Sequence, residues 1–426
     1  MGATYLRMLC RLSRDARLVL GSTALQAFGA MGIYGVLLNL YMLRLGYGAE
    51  FIGLVNASGT LTAGICCLPA SAVGQRWGSR RAMIGGLSIA ALSHSLLPLA
   101  GLLQGQARAA VLIGVSQLAY LGFATRTVNF SPFLMSAAGP EERNYAFSMS
   151  HAIAPGAAFL GSLTGGFLPG AFSAILGVSI AGPLPYGLSL FVASLFQIPA
   201  VLLLLATHEV PAAPRARARS DDGGRLGGAP IGLVAAMALV LFVRVAGDGS
   251  VRTFFNVYMD AGLGVPTTLI GTFLAMGQLL AIPAALATPV LAARWGNAHT
   301  YVMAALGMAL CLLPLALIPR WEAAAVGYIG MTSLLALARP AVTVYHQSLV
   351  PSAWRPAMAG GIQMGVAFGW AAMAYGGGYI IRLAGYHALF LVGAALIACG
   401  ALLFWGYSHT PRGEFAHKEM QRSLAE

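Results

Sequence analysis

Long apolar runs follow one another along this chain, separated by short polar gaps. A helix needs about twenty mostly apolar residues to cross a bilayer. Runs of that kind predict spanning helices at 18–43, 50–74, 82–104, 109–135, 144–168, 184–206, 231–259, 266–291, 300–319, 323–350, 356–381 and 385–407. The stretch from Pro169 to Pro183 is read as an outer loop. The longest polar gap, His208 to Pro230, is rich in Arg, Gly, Pro and Asp, the composition of a flexible linker. This divides the chain into an N-terminal six-helix bundle (1–207), a cytoplasmic linker (208–230) and a C-terminal six-helix bundle with a short cytoplasmic tail (231–426). Residues 1–17 are basic, but the apolar run after them is too long for a signal core and is read as a retained first helix.

Composition agrees with a bilayer as the solvent. The 426 residues are 58% hydrophobic and 9% charged, whereas soluble domains carry about 25% charged residues. A net charge of +12 raises the question of nucleic acid. The basic residues sit in short gaps rather than in a separate polar domain, so no nucleic-acid partner is expected. One set of gaps holds Arg7, Arg11, Arg14, Arg17, Arg76, Arg80, Arg81, Arg143, Arg215, Arg217, Arg219, Arg225, Arg294, Arg355, Arg412, Lys418 and Arg422. The alternate set holds only Arg44, Arg108, Arg320 and Arg382. By the positive-inside rule this predicts a multi-pass protein of the cell (inner, cytoplasmic) membrane with both termini cytoplasmic. The five cysteines, Cys10, Cys66, Cys67, Cys311 and Cys399, have neither metal-ligand nor disulfide spacing. No cofactor and no metal are expected.

The two sides of the linker resemble each other. Asn39, Tyr41 and Met42 match Asn256, Tyr258 and Met259. From Ile52 to Gly78, ten of twenty-seven positions are identical to Ile270–Gly296 without a gap, and Arg76-Trp77-Gly78 recurs as Arg294-Trp295-Gly296. Arg126 falls opposite Arg339, and Arg143 opposite Arg355. Two related half-chains are the arrangement in which transporters hold a substrate between repeats and rock them in alternation.

With these features the sequence resembles the major facilitator superfamily over nearly its full length. The resemblance implies an all-α integral membrane protein of twelve transmembrane helices in two pseudo-symmetric six-helix bundles. The family carries a loop signature between its second and third helices, roughly Gly-x-Leu-Ala-Asp-Arg-x-Gly-Arg-Arg. Here Arg76, Gly78, Arg80 and Arg81 match, while Ser71 stands for the first Gly and Gln75 for the Asp. The second copy keeps Arg294 and Gly296 and has Ala293 at the acidic position. The resemblance makes these loops gating elements, in which hydrogen bonds from Gln75 or another group replace a charge lock. Proton-driven exporters of the family carry an Arg followed three residues later by Gln on the fourth helix. Arg126 and Asn129 stand at that spacing, with Phe130 where a Gly would follow.

Candidate chemistry lies in the few charges inside the spans. A charge at the bilayer centre costs at least ~2.5–3.5 kcal/mol on insertion scales and is kept for function or neutralised by a partner. Arg126, Arg244, Asp248, Arg252 and Arg339 fall near mid-helix. Arg244, Asp248 and Arg252 lie at four-residue steps on one face of the seventh helix. One reading makes them a self-neutralising ladder; the other makes Asp248 the proton-carrying group, released when one arginine pair opens. Arg126 and Arg339 lie on helices that line the cavity in the resembled family. Either they bind an anionic substrate through bidentate contacts, or Arg126 pairs with Asp248 while Arg339 reaches helix-end carbonyls or water. His151, His346, Tyr34, Asn39, Asn129, Asn256, Tyr258, Gln278 and Gln363 are further cavity candidates or interhelical hydrogen-bonders.

The predicted function is secondary active transport of a small organic solute by alternating access, with proton-coupled export as the first form. The alternatives are an organic-anion symporter or exchanger using the intramembrane arginines, and a membrane sensor or receptor on a transporter scaffold. No nucleophile–base pair or phosphate loop suggests an enzyme. The expected partners are a small-molecule substrate, lipid and protons, and the chain is expected to work as a monomer.

Overall fold

A computed structural model describes residues 12–139, 143–208, 231–350 and 354–408. Among them ten helices are long and apolar enough to cross a membrane. They are α1 (Arg14–Arg44), α2 (Ala49–Trp77), α3 (Ser79–Leu102), α4 (Gly105–Ala137) and α5 (Arg143–Leu176), followed by α6 (Pro183–Leu205), α7 (Ile231–Gly262), α8 (Thr267–Leu317), α9 (Trp321–Ser348) and α10 (Arg355–Ser408). Their outward faces are apolar: Leu102 is 82% and Leu383 78% exposed. Water would penalise such surfaces, and hydrocarbon would not.

Helix α8 has 51 residues and α10 has 54. At 1.5 Å per residue each would run to about 75–80 Å, more than twice the ~30 Å hydrocarbon layer. Each is broken once, α8 at Gly296 (φ 78°) and α10 at Gly385 (φ 80°), where positive φ strains any residue with a Cβ. Each break divides one long helix into two segments, and the spanning helices among the described residues number ten. The outer loop expected at Pro169–Pro183 is corrected, because α5 runs through Pro169 to Leu176 before turning at Gly177. Proline is tolerated in a membrane helix where neighbours re-satisfy the freed carbonyl. Helices also overrun the predicted apolar runs at most ends, since polar residues at a membrane surface stay helical.

The described residues form two compact units. One contains 12–45 and 62–208, the other 46–61 and 231–408. The first is built around Val19, Leu20, Met83, Leu87, Phe133, Leu134 and Leu204. Ser13 caps α1 by accepting from Ala16 N (3.1 Å) and ties it to α4 by donating to Ala137 O (2.6 Å). The second is built around Met237, Leu241, Tyr301, Met358 and Phe404. The early part of α2 belongs there through Ala57 and Leu61, which pack on Ala371 and Ala374 of α10. Of the linker only His208 is described; its backbone N and Nδ1 lie 3.3 and 3.4 Å from the Asp15 carboxylate. Residues 209–230 and the C-terminal tail lie outside the described residues.

The repeat seen in sequence recurs as local geometry. Positive-φ glycines fall at Gly46 and Gly78 in the early segments and at Gly264 and Gly296 in the later ones, each pair 218 positions apart. Arg143 Nε donates to Met135 O, and Arg355 Nε donates to Gln347 O, both at 3.1 Å and both eight residues back. Matched arginines therefore clamp the end of the preceding helix in each unit.

Asn129, read as a cavity candidate or an interhelical hydrogen-bonder, makes hydrogen bonds between helices. It is buried, and its Nδ2 donates to Ala70 O (3.1 Å) and Thr125 O (2.9 Å), which uses both amide hydrogens. Its Oδ1 sits over Gly74, where an added Cβ would lie 1.6 Å away. Gly74→Ala is therefore expected to destabilise the protein by about 1–3 kcal/mol. Adding Asn129→Ala should make the pair cost less than the sum of the single changes. Thermal unfolding in detergent checks both, and strict additivity would contradict the close contact.

Candidate functional site

The first unit brings its predicted candidates together only in part. Arg126 is buried on α4, and its Nη2 donates to Thr23 Oγ1 (2.8 Å) on α1. Its guanidinium lies 5.6 Å from the Phe130 ring, and its Nε has no acceptor among the described residues. Asp15 is the only acid described in this unit, and it contacts His208. Within its own unit Arg126 is met by a hydroxyl rather than a carboxylate. Tyr34 is buried, packs with its ring tilted 4.2 Å from the His94 ring and donates its hydroxyl to His94 O. Gln197 Nε2 meets His94 Nδ1 at 2.7 Å. Tyr34, His94 and Gln197 thus form one polar cluster. His94 and Gln197 were not foreseen, because nothing in local sequence joins positions 103 residues apart. Asn39 is buried and His151 exposed.

The described loop residues make local contacts within their own unit. Gln75 is exposed, and its Nε2 reaches Ser71 Oγ at 3.4 Å in its own helix. Arg76, Arg81 and Arg294 are exposed, and Gly78 and Gly296 make the turns. Arg80 has a defined task. Its Nη2 donates to Leu205 O (2.7 Å) and its Nε to Thr207 Oγ1 (3.1 Å), capping the C-terminus of α6.

Most of the inward charge lies in the second unit. Arg244 Nη1 sits 3.0 Å from Asp248 Oδ2, with the side chains 7% and 2% exposed. The contact lacks hydrogen-bond alignment: neither Asp248 oxygen accepts a hydrogen bond, and Arg244 Nε has no acceptor among the described residues. The rest of the Arg244 environment is soft, with Met308 Sδ at 4.0 Å and the Tyr301 ring at 6.0 Å. At 3 Å and an effective dielectric of ~20, Coulomb attraction supplies about 5 kcal/mol. Desolvation of two ions costs several kcal/mol each. The pair therefore adds little net stability, and a carboxylate with no hydrogen bond is not tightly held.

The symmetric ladder read from the spacing is corrected. Arg252 makes no ion-pair contact with Asp248; it is exposed, with its guanidinium 4.4 Å from the centre of the Trp370 ring on α10. Tyr328, stacked on Phe255 at 4.1 Å, lies within electrostatic reach of Arg252. Arg339 is also exposed and acts electrostatically on Asp248, as Arg244 and Arg252 do. The remaining described acids of this unit lie near helix ends: Glu50 Oε1 is 2.6 Å from Arg382 Nε, Glu322 pairs with Arg320 at 3.5 Å, and Asp260 closes α7. Asp248 is thus the single deep acid among three arginines in this described unit.

Other candidates divide. Asn256 is buried and its Oδ1 accepts from Val257 N (3.0 Å). Buried Tyr258 packs 5.0 Å from Tyr386 and 5.2 Å from Phe390. Gln278 is half-buried, Gln363 is exposed, and His346 is buried with no partner for Nε2 among the described residues. Trp370, Tyr328 and Tyr301 were missed. Trp370 did carry a signal, since tryptophan favours membrane interfaces and this one falls mid-span. A groove of about 560 Å³ in the first unit is lined by Phe28, Leu160, Leu163, Thr164, Phe167, Leu168 and Ala171. It has no ionisable group and contains none of the predicted site residues, so it is not the candidate site.

A family model described as Major Facilitator Superfamily matches residues 19–360. Among solved structures, a mutant of the nucleoside transporter NupG is similar at TM-score 0.70 and 15% identity, over 92% of this chain and 99% of that one. The D-xylose-proton symporter is similar at TM-score 0.69 and 13% identity, over 92% and 97%. A bacterial homolog to the human lysosomal transporter Spinster, inward-facing and occupied, is similar at 0.69 and 14%, over 92% and 96%. No curated protein matches by sequence.

The ion pair generates a stability prediction. Asp248→Ala leaves Arg244 buried and uncompensated, and is expected to cost about 3–5 kcal/mol. The double change Arg244→Met with Asp248→Leu should recover most of that loss. Unfolding of both variants in detergent measures it; a single change as mild as a surface substitution would contradict the buried pair.

Proposed function

This chain belongs to the major facilitator superfamily, a family of secondary transporters, and on that premise we propose that it transports a small organic solute together with protons, with Asp248 as the proton carrier. The supporting observation is the state of that carboxylate. It is the single deep acid among the described residues of its unit, it touches one arginine, and it accepts no hydrogen bond. Protonation would neutralise it and release Arg244; deprotonation would restore the pair. Nearly balanced attraction and desolvation allow such an exchange at small cost. A cell-membrane location with both ends in the cytoplasm rests on the bias of basic loops. The alternation of conformations is that of the family.

The test uses proteoliposomes loaded with a pH-sensitive dye and challenged with a panel of sugars, nucleosides, amino acids and organic acids. A transported solute should move protons in the wild type. Asp248→Asn, which keeps the shape and a polar contact to Arg244, should abolish gradient-driven accumulation and leave solute counterflow intact. Unchanged proton coupling in Asp248→Asn would remove Asp248 from the mechanism.

A further inference from the structure

We propose that the Arg252–Trp370 contact and Arg339 form a binding subsite in the second unit for an organic oxyanion, a carboxylate or phosphate group on the transported solute. This rests on the transporter reading and adds the chemical class of the cargo. Three arginines, Arg244, Arg252 and Arg339, act on the one carboxylate of Asp248. Three positive charges against one negative leave a surplus of two. Arg244 takes the ion pair. Arg252 and Arg339 are exposed, repel each other, and have no carboxylate within ion-pair distance among the described residues. A charge at membrane depth costs at least ~2.5–3.5 kcal/mol on insertion scales, so two like charges kept together there call for a counter-anion.

The geometry suits an oxyanion in particular. Arg252 lies over the face of Trp370, 4.4 Å from its centroid. The aromatic contact supplies no oxygen acceptor, so it leaves the guanidinium N–H donors unused. The fork therefore stays available for a bidentate contact with a carboxylate or phosphate. The stacking also orients a side chain that would otherwise lose rotamer freedom on binding, which is preorganisation. A bound anion would compete with Asp248 for the local positive field, so occupancy and protonation of Asp248 would be linked through the same arginines.

The experiment uses the full chain purified in neutral detergent, with phenyl phosphate and benzoate as probes and benzamide and benzylamine as their neutral and cationic counterparts. Saturable thermal stabilisation is expected from the two anions and not from the counterparts. Arg252→Gln and Arg339→Gln should each weaken anion binding by at least ~10-fold, the loss of one charge-assisted contact. Arg252→Lys and Arg339→Lys, which keep the charge and lose the fork, should fall between wild type and the Gln variants. They carry the test if the Gln variants do not fold. Arg320→Gln, on an exposed pair, should bind as the wild type does. Equal stabilisation by benzamide, or anion binding that ignores both arginines, would overturn the proposal. So would arginine-dependent stabilisation by phosphatidylglycerol but by neither soluble anion, since the ligand would then be a lipid headgroup. Proton-coupled flux of neutral solutes with no anion binding would sink the subsite and leave the transporter reading. Arginine-dependent anion binding with no solute flux of any kind would do the reverse.

Discussion

A charge inside hydrocarbon must find a counter-charge, a polar partner or water, and this protein meets that demand only in part. Its described spans carry few ionisable side chains, and each inward arginine resolves its cost differently. Arg126 takes a threonine hydroxyl, Arg244 an ion pair and Arg252 an aromatic face. Arg339 keeps exposed surface. Such a set contributes little to stability, because attraction and desolvation nearly cancel. Its persistence is better explained by chemistry than by packing.

Around those charges the scaffold is ordinary for a membrane protein. Apolar side chains face outward, positive-φ glycines break the two longest helices, and paired arginines on equivalent positions clamp helix ends. Equivalent local solutions in the two half-chains show that the repeat reaches hydrogen-bond geometry. The charges do not repeat as well. Arg126 and Arg339 occupy matched positions, yet one is buried against Thr23 and the other exposed beside Asp248. The second unit holds the candidate chemistry because Asp248 has no counterpart in the described part of the first.

Much of the fold was legible from hydropathy alone, because spanning length is a property of single segments. Helix ends and the passage through Pro169 were not, since membrane helices continue where soluble propensities would stop them. At the site, four-residue spacing correctly placed Arg244 against Asp248. It could not show that Arg252 turns to Trp370, 118 positions away (370 minus 252). Likewise the three-residue spacing of Arg126 and Asn129 suggested one shared role. Gly74, on another helix, drew Asn129 into a packing task. Side-chain direction is decided by such distant partners, which one sequence does not display.

The claim beneath all of this is that Asp248 exchanges a proton when the arginine cluster is occupied. Proton uptake on binding phenyl phosphate, followed by a dye in weakly buffered detergent solution, measures it directly. Wild-type protein should take up a substantial fraction of one proton per chain, of the size expected for a single linked group, and Asp248→Asn should take up none. Binding without proton uptake in the wild type, or equal uptake in both proteins, would contradict the account.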